Sequence, residues 1–382
     1  MKKIVLVSNT SWSLYNFRLK LIKLLIESGV SVYCIANTDE YSCQLVSLGA
    51  IYIQSNVDNK GINPLNDLRY QLFLLHQYRK ISPDFIFHYT IKPNIYGCFA
   101  ARMLGIKSVA FVSGTGYPFL KKNLINYVVK KLYKTAGNNC TEMWFINKDD
   151  LKLFIDEKLV NINKTKLLPG EGVDTDFFSR TSPYPKNEGN FIFLLSSRLI
   201  WDKGIGVFVD AARIIKKTSP WVKFQLLGYI DKMSSSSIKK KQIDEWVAEG
   251  IIEYLGGTND VKKYLMEINC FVMPSYYREG IPKTLLEACS LEIPVITTDN
   301  TGCRDVVDHG YNGLLSEPRN AISLAECMEQ IIRMDYEALK IMGENGRRKV
   351  TSKFNENIVL EFYKSSLRDN ILYTKESYKL IG

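Results

Sequence analysis

Histidine is scarce: only His76, His88 and His309 occur in 382 residues. With no HxxxH or HExxH spacing among them, the common histidine-based metal sites are excluded. The eight cysteines (Cys34, Cys43, Cys98, Cys140, Cys270, Cys289, Cys303, Cys327) never form a CxxC pair and lie in or beside apolar runs. That is the pattern of reduced thiols, so neither a disulfide framework nor a zinc site is expected. No stretch approaches the roughly 18 apolar residues of a membrane span. The amino terminus, Met1-Lys-Lys-Ile-Val-Leu-Val-Ser-Asn9, has too short an apolar segment for a signal peptide, which makes a cytoplasmic location the expectation. GxGxxG does not follow the first apolar run, a Walker A sequence is missing, and no 20–50-residue period marks a solenoid. Dinucleotide redox chemistry, P-loop chemistry and repeat arrays therefore drop out.

What is present is ample core material: 46% of residues are hydrophobic, 24% charged and 12% aromatic. At roughly 150 residues per domain, two lobes is the simplest organisation. The formal charge of +10 is unevenly spread, with 22 Lys+Arg against 11 Asp+Glu through Gly170 and 28 against 29 afterwards. A basic first half attracts an anionic partner, for which nucleic acid, an anionic membrane face and a phosphorylated substrate all qualify.

Short β-branched and aromatic runs at 3–8, 30–36, 51–54, 84–90, 108–113 and 142–147 alternate with helical stretches, and the pattern resumes at 191–197, 222–228, 251–255, 270–274 and 293–298. Continuous apolar strands separated by helices predict an α/β fold of two doubly wound lobes with parallel sheets. Residues 169–190, with Pro169, Pro183, Pro185 and Gly189, read as the hinge. The expected division is an acceptor and membrane-side lobe over 1–170 and a donor lobe over 171–353. A terminal helix over about 354–372 has the option of packing back on the first lobe. The Ser234–Ser237 run before Lys239–Lys241 reads as a solvated loop. In open parallel sheets ligands sit beyond the strand C-termini, which predicts a site in a cleft between facing lobes.

The strongest constellation is 279–287, Glu-Gly-Ile-Pro-Lys-Thr-Leu-Leu-Glu, after a strand ending near Pro274-Ser275. Gly280 permits a tight turn and Pro282 suits the first position of a helix, whose free N–H groups and dipole favour a pyrophosphate without a metal. Glu279 would precede the helix and Glu287 lie more than a turn inside it, two carboxylates able to accept sugar hydroxyls. Arg198 and Lys203 follow the strand at 191–197, a rigid fork and a point charge suited to a leaving diphosphate. Asp174-Thr-Asp176 matches a DxD metal motif, but its place in the hinge makes chance the better explanation. In the basic half, 119–134 carries apolar residues at 120, 124, 125, 128 and 132 beside Lys121, Lys122, Lys130, Lys131 and Lys134. A basic amphipathic helix of this kind suits an anionic bilayer surface.

Arg-x4-Lys-Gly followed by Glu-x7-Glu resembles the donor lobe of retaining GT-B glycosyltransferases of the family-four group. Supporting matches are Gly170-Glu-Gly-Val-Asp174, Leu226-Leu-Gly228, Tyr254-Leu-Gly-Gly257, Pro274-Ser275, Gly302-Cys-Arg-Asp305 and Asn312-Gly313. In the first lobe, Ser13-Leu-Tyr-Asn-Phe-Arg18, Lys92-Pro-Asn94 and Ser113-Gly-Thr-Gly-Tyr117 are similar to a bacterial subset that builds surface polysaccharides on polyprenyl diphosphate. The resemblance implies a UDP-sugar, a UDP-hexose or UDP-N-acetylhexosamine, as donor, a lipid-linked saccharide as acceptor, no metal or other cofactor, and no nucleic-acid partner. It assigns Arg198 and Lys203 to the diphosphate, Glu279 to the donor sugar and Glu287 to the ribose. Backbone from Gly280 through Ile281, Pro282, Lys283 and Thr284 would meet the phosphates, and the base would lie near Gly228 and Gly256. Asn16, Arg18, Lys92, Asn94 and Thr115 are the acceptor-side candidates. Two departures stand out. Ser8-Asn-Thr-Ser-Trp12 replaces the glycine pair usual after the first strand. His88, where many members have a histidine touching the donor sugar, falls in an apolar run and reads as a core residue. A UDP-sugar epimerase shares the two-lobe architecture and is the alternative enzyme. A basic nucleic-acid-binding protein would leave Arg198, Lys203, Glu279 and Glu287 without a common purpose.

Overall fold

A computed structural model describes residues 1–58, 61, 63–116, 119, 124–185, 190–231, 234 and 236–371. The chain divides into one unit of Met1–Glu171 with Val359 onward, and a second of Gly172–Ile358.

The first unit runs β1 (Lys3–Val7), α1 (Ser11–Glu27), β2 (Ser31–Ala36), α2 (Ser42–Ser47), β3 (Ile51–Gln54), α3 (Pro64–Ile81), β4 (Phe85–Tyr89), α4 (Cys98–Met103), β5 (Ser108–Val112), α5 (Leu124–Asn139), β6 (Glu142–Phe145), α6 (Lys148–Asp156) and β7 (Thr165–Leu167). Its strands form one parallel sheet of order β3-β2-β1-β4-β5-β6-β7. β1, β4 and β5 are almost wholly buried, as strands covered by helices on both faces must be. α1 begins at a Thr10 cap whose hydroxyl accepts from the Ser13 N–H, and it buries Leu14, Leu21, Ile22 and Leu25.

The second unit runs β8 (Ile192–Ser196), α7 (Ile205–Thr218), β9 (Lys223–Leu227), α8 (Lys240–Ala248), β10 (Glu253–Tyr254), α9 (Val261–Leu265), β11 (Cys270–Met273), α10 (Lys283–Ser290), β12 (Val295–Thr298), α11 (Cys303–Val306), β13 (Gly313–Ser316), α12 (Ala321–Arg333) and α13 (Tyr336–Lys353). Its parallel sheet has the order β10-β9-β8-β11-β12-β13. The final helix, α14 (Glu356–Ile371), carries Val359, Leu360, Tyr363 and Leu367 into the core of the first unit, where Tyr363 packs edge-on against Phe87 and Trp144.

β7 and β13 escape the apolar-run reading because each is a short edge strand, the first carrying Thr165 and Lys166 and the second opening on Gly313. The hinge is also shorter than the composition of 169–190 implies. From Gly172 the chain already belongs to the second unit: the Val173 N–H donates to the Phe354 carbonyl at 2.9 Å, and Phe178 joins a buried cluster with Leu285 and Leu286. Tyr184 donates its hydroxyl to the Asn269 carbonyl at 2.5 Å. Residues 186–189 lie outside the described residues. The return to the first unit falls at Val359 rather than 354, because Asn355 still pairs with Val173.

Candidate active site

α10 is amphipathic by burial: Leu285, Leu286, Ala288 and Cys289 are fully enclosed against the second sheet. Pro282, with φ −67° and ψ 117°, is the residue before the helix rather than its first turn, so α10 starts at Lys283. The first-turn N–H groups of any helix lack intrahelical partners, and here they sit at the C-terminal edge of a parallel sheet. The preceding loop is held by backbone contact: a Cβ on Gly302, whose φ is +78°, would stand 1.5 Å from the Gly280 carbonyl oxygen. Only glycine fits there.

A second close approach positions the cation. Gly204, at φ +78°, lies so near the Pro274 carbonyl that a Cβ would come within 1.9 Å. The Asp202 carbonyl accepts the N–H groups of Tyr276 and Tyr277, both at 3.0 Å, stitching the loop after β8 to the loop after β11. Between these loops Lys203 Nζ reaches Glu279 Oε1 at 2.5 Å, and Ser275 Oγ donates to the same oxygen at 2.7 Å. Lys203 and Glu279 are each only 8% exposed. Ser275 is itself braced, its carbonyl accepting from Thr298 Oγ1 at 2.5 Å and Asn300 Nδ2 at 3.3 Å. The Cys303 thiol is pushed up to about 12 by burial and, secondarily, by the charge of Glu279.

The other donor-lobe candidates differ in setting. The Arg198 side chain is 59% exposed and pairs with Asp231 at 3.2 Å, so the two expected diphosphate cations are one exposed and one buried. The loops after β9 and β10 meet where the Gly228 N–H donates to the Gly256 carbonyl at 2.7 Å, and the Tyr254 hydroxyl donates to the Gly228 carbonyl at 3.0 Å. Glu287, inside α10, is buried, and its carboxylate makes no hydrogen bond among the described residues. Burial holds its carboxyl above the usual range, with the Lys283 charge opposing. Asp174 of the DxD sequence accepts the N–H groups of Asp176 at 3.0 Å and Phe177 at 2.9 Å, closing a turn.

In the first unit, three acceptor-side candidates turn inward. Arg18 is buried, ion-paired with Glu171 and sandwiched by the rings of Tyr89 and Phe111 at 4.3 and 4.5 Å. Asn94 brackets Phe111, its amide donating to the carbonyl at 2.9 Å and its Oδ1 accepting the N–H at 3.1 Å. Thr115 is enclosed, its hydroxyl donating to Asp150 at 3.0 Å. Asn94 and Thr115 find hydrogen-bond partners inside the unit, as burial requires, whereas Arg18 Nε is buried without one. Lys92 pairs with Asp67 at 2.5 Å, and Asn16 donates to the Trp12 carbonyl at 3.0 Å within α1. His88 is a core residue: its Nε2 lies 2.9 Å from the Tyr78 hydroxyl and its Nδ1 3.4 Å from the Cys98 sulfur. Burial pushes the imidazole down to about 3.

Comparison with known proteins bears on both units. Residues 3–147 match the family described as Glycosyl transferase 4-like, and residues 179–349 match Glycosyl transferases group 1. The chain belongs to the family-four GT-B glycosyltransferases. This glycosyltransferase is 27% identical over 378 residues to N,N'-diacetylbacillosaminyl-diphospho-undecaprenol alpha-1,3-N-acetylgalactosaminyltransferase of Campylobacter jejuni, covering 94% of this chain and 97% of that one. It is 25% identical to UDP-Gal:alpha-D-GlcNAc-diphosphoundecaprenol alpha-1,3-galactosyltransferase of Escherichia coli over 78% of each chain. Its fold matches that of Anabaena HepE in complex with UDP-glucose at a TM-score of 0.79, with 18% identity over 97% of this chain and 100% of that one.

Sequence reasoning about this glycosyltransferase left out Ser275, Thr298 and Asn300, which together carry Glu279. Pro274-Ser275 was visible as a motif, but a serine whose hydroxyl holds a carboxylate four positions later leaves no periodic signal. Asp231, the partner of Arg198, lies in a loop with no pattern to mark it.

Proposed function

We propose that this glycosyltransferase moves a hexose or N-acetylhexosamine from a UDP-sugar to a saccharide carried on polyprenyl diphosphate, with retention of configuration and without a divalent metal. The observation that carries the reading is the buried Lys203–Glu279 pair, braced by Ser275 in the loop just ahead of α10, with the buried carboxylate of Glu287 inside that helix. Lys203 and Arg198 supply positive charge for the diphosphate that departs as the sugar–oxygen bond breaks, and the α10 N–H groups add the helix dipole. Glu279 accepts a hydroxyl of the donor sugar, and Glu287 accepts the ribose hydroxyls. The uracil edge is read by backbone at Gly228 and Gly256. The acceptor hydroxyl attacks the anomeric carbon from the face the diphosphate leaves, and its proton passes to the departing phosphate oxygen.

The acceptor class is supported by the two relatives, whose names specify diphospho-undecaprenol saccharides. None of the described helices is long and apolar enough to cross a membrane. The enzyme would then work from the cytoplasmic side as a peripheral protein, with Asn16 and Lys92 among the residues nearest the acceptor and Arg18, Asn94 and Thr115 as their supports. Incubation of a UDP-sugar panel with a short-chain prenyl-diphosphate saccharide, in EDTA, is the test. An α-linked product formed from an α-linked donor supports the reading. Conversion of a UDP-sugar with no acceptor present would make it an epimerase, and activity restored only by manganese or magnesium would overturn metal independence.

A further inference from the structure

Of the basic stretch expected over 119–134, residues 120–123 lie outside the described residues, and Lys130 is paired with Glu157 at 2.7 Å. The second unit presents a fuller arrangement at the C-terminal edge of its sheet, where ligands of open parallel sheets sit. Tyr229 follows β9 there and is 56% exposed. Its backbone is pinned: the Tyr229 carbonyl accepts the Leu199 N–H at 3.0 Å, and Gly228 just before it donates to the Gly256 carbonyl at 2.7 Å. The ring lies across Gly257, where a Cβ would stand 2.2, 2.3 and 2.5 Å from three adjacent ring carbons. Three adjacent carbons at nearly equal distance mean that the glycine meets the face of the ring rather than its edge. One face is thus seated on backbone, which leaves the exposed area to the other face and the hydroxyl. Among the described residues that hydroxyl makes no hydrogen bond, and no side chain stacks on the ring.

A tyrosine ordinarily packs its apolar body on neighbours and leaves the polar tip in water. Trp201, exposed in the neighbouring loop after β8, packs in that way: its ring covers Gly206 and meets Trp246 edge-on at 5.9 Å. Tyr229 instead keeps a whole face open. Two residues further on, Asp231 holds Arg198 at 3.2 Å, so a cation expected to meet the diphosphate stands against the same short loop. Resting on the reading of a UDP-sugar donor, we propose that the open face of Tyr229 is the platform on which the uracil ring stacks, with Gly257 as its seat. A base and a tyrosine ring are both planar π-systems, and stacking asks for no particular hydrogen-bonding edge. The tyrosine face therefore supplies affinity, while backbone at Gly228 and Gly256 remains free to meet the edge of the base. Gly257 does not occupy the left-handed region, so what glycine provides at this position is room for the ring.

Calorimetric titration of the full chain with UDP, and displacement of that UDP by uridine and by inorganic pyrophosphate, decide this. Tyr229→Ala should weaken UDP and uridine alike, on the order of tenfold or more, and leave pyrophosphate unchanged. Tyr229→Phe should bind all three as wild type does, because the ring face and not the hydroxyl holds the base. Gly257→Ala, whose Cβ would take the space of the ring, should reproduce the loss of uridine with Tyr229 itself intact. Unchanged pyrophosphate binding also shows that each variant is folded. A Tyr229→Ala variant that binds UDP and uridine like wild type, that loses pyrophosphate as strongly as uridine, or that weakens a UDP-sugar while sparing UDP would overturn the platform. Tyr229→Phe binding as poorly as Tyr229→Ala would do the same. A wild type with no affinity for UDP would instead overturn the UDP-donor reading, and the platform with it.

Discussion

Lys203 and Glu279, 76 positions apart in sequence, meet with Nζ 2.5 Å from Oε1 inside the second unit. Because both are buried, removing either one alone strands the charge of the other. Lys203→Ala should reduce turnover by about 10²–10³-fold and, by stranding a buried carboxylate, also destabilise the protein by roughly 3–5 kcal/mol. Lys203→Met with Glu279→Gln should recover most of the Tm and none of the activity. A single Lys203→Ala variant with wild-type Tm would show that the pair is not closed in solution.

Arg198 sits in the opposite environment, 59% exposed beside Asp231. An exposed pair contributes about 0–1 kcal/mol. Arg198→Ala should therefore leave Tm within a degree or two while still lowering turnover by about 10²-fold. Steady-state kinetics beside a melting curve would check this, and equal losses in both would place Arg198 among structural residues.

Glu287 is held above the ordinary carboxylate range by burial. The folded chain then keeps that proton more tightly than the unfolded chain. The contribution of the carboxyl to stability is complete below roughly pH 4 and lost as pH rises through its folded value. Glu287→Gln should raise Tm at pH 7.5 and leave it unchanged near pH 4, while weakening UDP by roughly 10–100-fold through the lost charged hydrogen bonds. Calorimetry at the two pH values and UDP titration measure both effects.

His88, pushed down to about 3 by burial, stays neutral in the fold while the unfolded chain protonates it near pH 6.5. Stability should be full above pH 6.5 and decline as pH falls toward 3, because the unfolded state binds the extra proton. His88→Gln should flatten that decline without altering turnover at pH 7.5. An identical acid profile in the variant would assign acid sensitivity elsewhere.

The strands were legible because β1, β4, β8 and β11 are continuous apolar runs, and burial on both faces allows little else. Glu279, Gly280 and Lys203 stood out in the sequence because glycine, proline and paired charges beyond strand ends are costly unless a loop needs them. Ser275, Asn300 and Asp231 did not, since their significance lies in which carbonyl or side chain they happen to face. Arg18 shows the same limit: the resemblance of Ser13–Arg18 made it an acceptor-side candidate, and only the fold brings Glu171, Tyr89 and Phe111 around it.

Periodicity, charge balance and loop chemistry are local properties, so the order of residues alone was enough for two α/β lobes, a loop running into a helix over 279–287 and a basic first half. Burial is not local. Whether a lysine is a buried partner like Lys203 or an exposed one like Lys131, and whether leucines such as Leu65 and Leu72 face a core or open water, depends on which elements the sheet order sets beside them. The same helical spacing serves both outcomes, because a helix with apolar residues on two sides carries no mark of which side the sheet will cover.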